Sequence, residues 1–229
     1  MNKIEQAVAE PHNKLNPKIW ADNDHMLPEV QVALLRIAKE FYEFLAFDAP
    51  MVDVQVTGSQ ANYNYTDLSD LDVHLIVPYK DVECDEPVDD LFDTKRKLWK
   101  SRHNISVHSV PVEVYVEDVG TDRPGAAYSL LSNKWVRKPK KMSDPDWNQE
   151  EIFREVLIWL ERMSTVVSSR NIEAITTFKD QLSAYRKQGL SGGGEFSQQN
   201  IVYKALRNLG AISQLMEILV ALKDKDLSI

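Results

Sequence analysis

Thiol chemistry is almost absent from this chain: its 229 residues include one cysteine, Cys84. A lone thiol builds neither an intramolecular disulfide framework nor a Cys-based zinc site, and it suits a reducing compartment. Long apolar runs are missing too. No stretch approaches the ~18–20 residues of a membrane span. The opening MNKIEQAVAEPHNKLNPK is polar and interrupted by Pro11 and Pro17, so the expectation is no export signal, no membrane partner and a cytoplasmic location. Basic residues are in deficit, 27 Lys+Arg against 35 Asp+Glu, giving a formal charge of −8. A protein that coats nucleic acid needs the opposite balance, so any anionic ligand has to be bound locally or through a metal. There is no internal repeat and no low-complexity tract. What remains is 43% hydrophobic residues in a length that suits one domain or a domain with a smaller companion.

Residues 1–27 mix Pro, Asn and Asp without periodicity and read as an N-terminal arm, with Leu15, Ile19 and Trp20 as anchors. From Pro28, apolar positions recur at Val30, Leu34, Ile37, Phe41 and Leu45, one face of an amphipathic helix. Val52, Val54 and Val56 then alternate with Asp53, Gln55 and Thr57, a strand with one covered face that Gly58 ends. After a polar loop, Asp70 to Val77 forms a second, more apolar strand closed by Pro78. Asp89 or Asp90 caps a helix to about Arg102, with Leu91, Phe92, Leu98 and Trp99 inside. A third extended stretch over 105–117 bends at Pro111, and a loop leads to the basic run 134–141. The remainder is helical. Asn148 caps one helix with Trp147 stapled to Ile152, a second spans about 171–188, Gly192–Gly194 form a hinge, and Phe196-Ser197 repeat the staple and cap before two last helices. The predicted architecture is α+β: a small mixed or antiparallel sheet with helices on one face over 28–145, then an α-helical C-terminal domain over 146–229.

The chemistry concentrates in Gly58-Ser59, then Ser69-Asp70-Leu71-Asp72, then Val112-Glu113-Val114. An acid-x-acid pair alone means little, because 35 acids in 229 positions generate about five by chance. Placement distinguishes Asp70 and Asp72. At strand spacing both carboxylates leave the same face of a rigid apolar strand. Glu113 sits mid-strand between valines that face the other way, so adjacency of the two strands would bring three carboxylates together. Such a cluster repels itself unless a cation neutralises it, and all-oxygen ligation suits Mg²⁺ or Mn²⁺. Two such ions orient an attacking hydroxyl and a leaving pyrophosphate. Gly58 lets backbone approach a phosphate closely, and the Ser59 hydroxyl and following amides donate to its oxygens.

These elements, in this order and spacing, resemble the DNA polymerase beta-like nucleotidyltransferase superfamily. The stretches Thr57-Gly-Ser-Gln-Ala-Asn-Tyr-Asn-Tyr65, Pro111-Val-Glu-Val-Tyr-Val116, Tyr128-Ser-Leu-Leu-Ser-Asn-Lys-Trp135 and Gly194-Glu-Phe-Ser197 are similar to uncharacterised nucleotidyltransferase-like proteins of tailed bacteriophages. The resemblance implies that Asp70 and Asp72 bind both metals, Glu113 binds the catalytic metal, and Gly58 and Ser59 hold the triphosphate of an NTP; a phage origin would place the protein in a host cytoplasm. Two departures stand out. The third acid is Glu where many members have Asp, and Asn62 and Tyr63 stand where small antibiotic-modifying and toxin-like members often have glycine.

The resulting expectation is transfer of a nucleoside monophosphate from an NTP to an acceptor hydroxyl, with the acceptor open among an RNA end, a protein, a nucleotide and a small molecule. A catalytically silent nucleotide- or RNA-binding module is the alternative, and a metal phosphohydrolase a third. Haloacid-dehalogenase phosphatases and metal-dependent glycosyltransferases fit less well, because their acid pair follows the apolar strand instead of opening it. A capped turn with solvated acids leaves Gly58-Ser59 and Glu113 unexplained. Ser69, Tyr63 and Lys204 complete the candidate nucleotide-binding set. Tyr63 and Tyr65 either stack on a base or pack on their own loop; Lys204 and Arg207 either close over phosphates or are ordinary helix charges. His74 shares the face of Asp70 and Asp72 and is either a nucleotide or metal-shell contact or a satisfied buried histidine. The basic run 134–141 meets a phosphate backbone or is a solvated edge.

Overall fold

A computed structural model describes residues 4, 7, 8, 12–83, 87–123, 125–141 and 148–228. Helix α1 (Pro28–Leu45) is followed by strands β1 (Asp53–Thr57) and β2 (Leu71–Val77), helix α2 (Val88–Arg102), strands β3 (Ser106–Val107), β4 (Val110–Asp118), β5 (Ala127–Ser129) and β6 (Lys134–Arg137), and helices α3 (Gln149–Ser168), α4 (Ile172–Gly193), α5 (Gln198–Asn208) and α6 (Ala211–Leu227). The architecture is α+β with a mixed sheet and a C-terminal helical region, as expected. Two units are distinguished by their internal packing: residues 11–141, and residues 142–229 with 1–10.

In the first unit six strands lie in the order β3-β4-β2-β1-β5-β6. Among the described residues only β2 and β4 run parallel, joined through α2; the other neighbours are antiparallel. Alternation separates two faces. Val54, Val56, Val73, Leu75, Val77 and Val114 are all buried. Helices α1 and α2 pack on β2 and β4, with Phe41 meeting Trp99 edge-on at 5.4 Å between ring centroids. The opposite face carries Gln55, Thr57, Asp72, His74, Glu113, Tyr115 and Glu117, which the strand registers set side by side.

Several local readings are corrected. The stretch 105–117 does not bend at Pro111: it is a hairpin turning at His108-Ser109, with φ of 47° and 64°, the left-handed pair of a tight two-residue turn. Pro111 lies within β4, exposed and paired with Ser106. Helix α2 has Pro87 at its N-cap without a side-chain cap, and Asp89 and Asp90 fall in the first turn, where their charge meets the positive end of the helix dipole. Leu98 is exposed instead of inward. The basic run contributes strand β6, whose Lys134 pairs with Ser129. The expected glycine hinge is helical: α4 runs through Gly192 and Gly193 and stops at Gly194, whose φ of 68° ends it. Residues 11–27 belong to the sheet unit, with Leu15, Ile19 and Trp20 buried.

In the second unit the Asn148 side chain accepts from the Glu151 amide at 2.8 Å and Ser197 caps α5 through the Asn200 amide. Trp147 and its expected staple lie outside the described residues. Ile152, Val156, Trp159, Ile175, Phe178, Ile201, Leu215 and Leu219 form the core. Among the described residues no single helix is long and apolar enough to cross a membrane.

Candidate functional site

Strand register brings the acids together. Asp72 pairs with Glu113 across the parallel β2/β4 ladder and with Thr57 across the antiparallel β1/β2 ladder. One carboxylate oxygen each from Asp70, Asp72 and Glu113 lies within 4.8 Å of the others, and all three residues are half-buried. Three hard oxygen donors at that separation suit a divalent cation such as Mg²⁺ or Mn²⁺.

The cluster shares its space with Gly58. This residue ends β1 with φ 72° and ψ −158°, backbone that an L side chain resists. A Cβ built on it would stand 1.9 Å from Asp72 Oδ2. The missing side chain is therefore what makes room for the Asp72 carboxylate. Ser59 follows in a short 3₁₀ turn, Ser59–Ala61, and is buried.

Two side chains that sequence reasoning missed hold Glu113. The Lys100 ammonium, from the last turn of α2, pairs with Oε1. The Tyr115 hydroxyl donates to Oε2 at 2.6 Å. Burial pushes the Glu113 carboxyl up, but these two contacts outweigh it and hold it below its usual range. Burial, the nearby Asp72 charge and the bond to Glu113 together push the Tyr115 phenol well above its ordinary value. Tyr115 was within reach of the strand-alternation reading, since it stands two residues past Glu113 on the same face. Lys100 was not, because helical periodicity says nothing of which strand an exposed lysine reaches. Arg96, one turn earlier, lies over the Tyr115 ring at 5.1 Å.

The remaining candidates separate. His74 is buried: it is 2% exposed, stacks on Tyr115 at 4.8 Å, accepts from Arg123 Nη1 at 3.3 Å, and stands 2.9 Å from Glu117 Oε2 in a close polar contact. Burial and Arg123 lower its pKa despite the pull of Glu117. Ser69 Oγ accepts from the Thr66 amide at 2.9 Å, so it closes the loop before Asp70. Tyr63 is 5% exposed with Lys141 over its ring. Lys204 belongs to the helical unit, where it is 6% exposed and donates to Glu195 Oε2 at 2.8 Å. Its charge is neutralised there by a structural partner. In the basic run Lys138 pairs with Asp24 at 2.5 Å and Arg137 donates to the Gly125 carbonyl at 2.9 Å.

The segment that reads as an N-terminal arm supports the site loop. Asn16, Trp20 and His12 all bond to residues 60–65. Nothing in their spacing signals this, since each contact spans 40 residues or more.

No protein-family model matches the chain, and no curated protein sequence matches it. A solved structure that matches is that of Elizabethkingia meningoseptica CdnE cyclic dinucleotide synthase with GTP and Apcpp, at 13% identity over 79% of this chain and 75% of that chain, with a TM-score of 0.27. A likeness that loose carries no argument about function, which rests on the chain's own residues.

Proposed function

We propose that the sheet unit is a nucleotidyltransferase dependent on Mg²⁺ or Mn²⁺ that moves a nucleoside monophosphate from an NTP to an acceptor hydroxyl. The observation that carries this reading is the convergence of Asp70, Asp72 and Glu113 within 4.8 Å, beside a glycine whose Cβ would collide with Asp72. Two divalent ions, held by these carboxylates, would supply charge neutralisation and alignment of the triphosphate. The chain's own part is positional. β2 and β4 fix Asp72 and Glu113 on a rigid ladder with Asp70 directly ahead of β2, Gly58 leaves room for the Asp72 carboxylate, and Ser59 with the following amides would donate to phosphate oxygens. In the transfer the acceptor oxygen bonds to the α-phosphorus and the bond from that phosphorus to the bridging oxygen breaks. Pyrophosphate leaves with the electron pair, and the hydroxyl proton passes to solvent. The lone thiol suits a reducing compartment as the place of action.

One observation favours a second reading. Lys100 and Tyr115 already occupy both Glu113 oxygens, so the cluster is partly neutralised from within, as suits a nucleotide-binding module without catalysis.

Each α-labelled NTP is incubated with Mg²⁺ or Mn²⁺ and candidate acceptors: RNA, protein, nucleotides and small molecules. Label transfer with pyrophosphate release that disappears in Asp70→Asn/Asp72→Asn supports the enzyme; transfer that survives the double substitution overturns the assignment of these residues. NTP binding without metal and without turnover favours the binding module, and release of phosphate in place of pyrophosphate a phosphohydrolase.

A further inference from the structure

The loop between Ser59 and Asp70 has its two ends tied by one side chain. Gln60 directly follows Ser59, Ser69 directly precedes Asp70, and Gln60 Nε2 donates to the Ser69 carbonyl at 3.1 Å. Gln60 is completely buried. Its Oε1 accepts from Asn16 Nδ2 at 2.9 Å, and its own carbonyl accepts from the Trp20 indole at 2.7 Å. Trp20 is in turn stacked on Trp135 at 4.8 Å and meets Tyr128 edge-on at 5.0 Å. Every polar atom of the Gln60 amide group thus has a named use: one end is anchored to the N-terminal segment, and the other draws the start of β2 toward the end of β1.

A loop without that tie would let its two ends drift independently. Gly58-Ser59 would stay with β1, while the backbone ahead of Asp70 would follow the loop. Asp70 is the acid most exposed to such drift, because it lies outside β2, which begins at Leu71. Asp72 and Glu113 are already locked by ladder pairing. A carboxylate site tolerates only about 0.5 Å of error, so the donor to the Ser69 carbonyl matters more than its modest net energy.

We infer that Gln60 is a positioning residue that couples the phosphate-facing turn at Gly58-Ser59 to the metal-facing Asp70, with residues 12–20 as its fixed anchor. This rests on the nucleotidyltransferase reading. Gln60→Glu keeps length and the acceptor for Asn16 but places an acceptor against the Ser69 carbonyl. Asn16→Ala removes the anchor and leaves the tie itself.

The experiment uses the full chain at a temperature where circular dichroism shows each variant folded. Mn²⁺ affinity is read by electron paramagnetic resonance, first alone and then with α,β-methylene ATP and GTP. Wild type should bind Mn²⁺, Gln60→Glu should weaken it about tenfold or more, and Asn16→Ala should weaken it less. A merely structural role predicts a lower melting temperature with unchanged Mn²⁺ affinity in the folded protein, and that result overturns the inference while leaving the proposed function intact. Equal weakening by Asn16→Ala and Gln60→Glu also overturns it, by showing that the loop tie has no effect of its own. A wild-type chain that binds no Mn²⁺ overturns the proposed function and the inference with it.

Discussion

Lys100 and Glu113 form an ion pair between the end of α2 and the middle of β4, so the third acid of the cluster has a cation of the protein's own on Oε1. A divalent ion at that oxygen competes with this ammonium. The Lys100 side chain is 63% exposed, so solvent screening limits the pair to roughly 0.2–1 kcal/mol. Lys100→Met should therefore tighten Mn²⁺ binding about 1.4–5-fold in titrations without nucleotide, the factor that this energy range corresponds to. Unchanged or weaker Mn²⁺ binding would show that Lys100 does not contest the site.

Gly58→Ala should damage stability and metal binding together. Its φ of 72° and the 1.9 Å approach to Asp72 Oδ2 leave a methyl group no place without moving the carboxylate. Backbone strain of this kind costs about 1–3 kcal/mol, to which the displaced carboxylate adds loss of the ion. Urea unfolding and a Mn²⁺ titration on the same preparation check both halves.

The Glu117 carboxylate accepts from Arg123 Nε at 2.9 Å and faces His74, with Tyr79 farther off. Burial raises its pKa, but His74 and Arg123 lower it further, and the net shift is downward. A carboxyl depressed in the folded state contributes stability that is fully present above its unfolded value near ~4.3 and is lost as pH falls through the folded value. Glu117→Gln should cost about 2 kcal/mol at pH 7, and the gap from wild type should narrow below that unfolded value. Urea midpoints measured from pH 7 down to pH 3 follow it; a gap constant with pH would rule out the charge as its origin.

Divalent ions should raise the melting temperature through the acid cluster alone. At a concentration 100-fold above Kd the linkage is worth about 2.7 kcal/mol, or roughly 5–10 °C for a chain of this size. Asp70→Asn/Asp72→Asn should abolish the rise in Mn²⁺, with EDTA as the reference for both proteins. A rise of equal size in the double variant would place the ion elsewhere.

The acid cluster was legible because its signal is periodic. Alternation puts Asp72 and Glu113 on strand faces, and the apolar run after Asp72 marks a central strand; the pairing of β2 with β4 and the place of Asp70 one residue ahead of β2 had to come from the structure. The two-residue turn at His108-Ser109 escaped notice because neither residue is glycine, although both have positive φ. The basic run hid β6 because edge strands are half solvated and read as charge. Residues such as Gln60, Lys100 and Asn16 act through contacts to distant parts of the chain, to which local spacing is blind. Burial is likewise invisible to residue type: Tyr63 and Lys204 have side chains suited to nucleotide, and both are almost covered in the fold.

The parallel pairing of β2 with β4 has a consequence for the order of events during synthesis. Asp70 and Asp72 emerge from the ribosome well before Glu113, and α2 must cross over before β4 can lie beside β2. Such non-local pairings are slow to form. A nascent chain extending only through α2 thus carries two ligands and the Lys100 ammonium but no third carboxylate. On the proposed function, high-affinity ion capture would arise only after β4 has docked, before β5 and β6 complete the sheet.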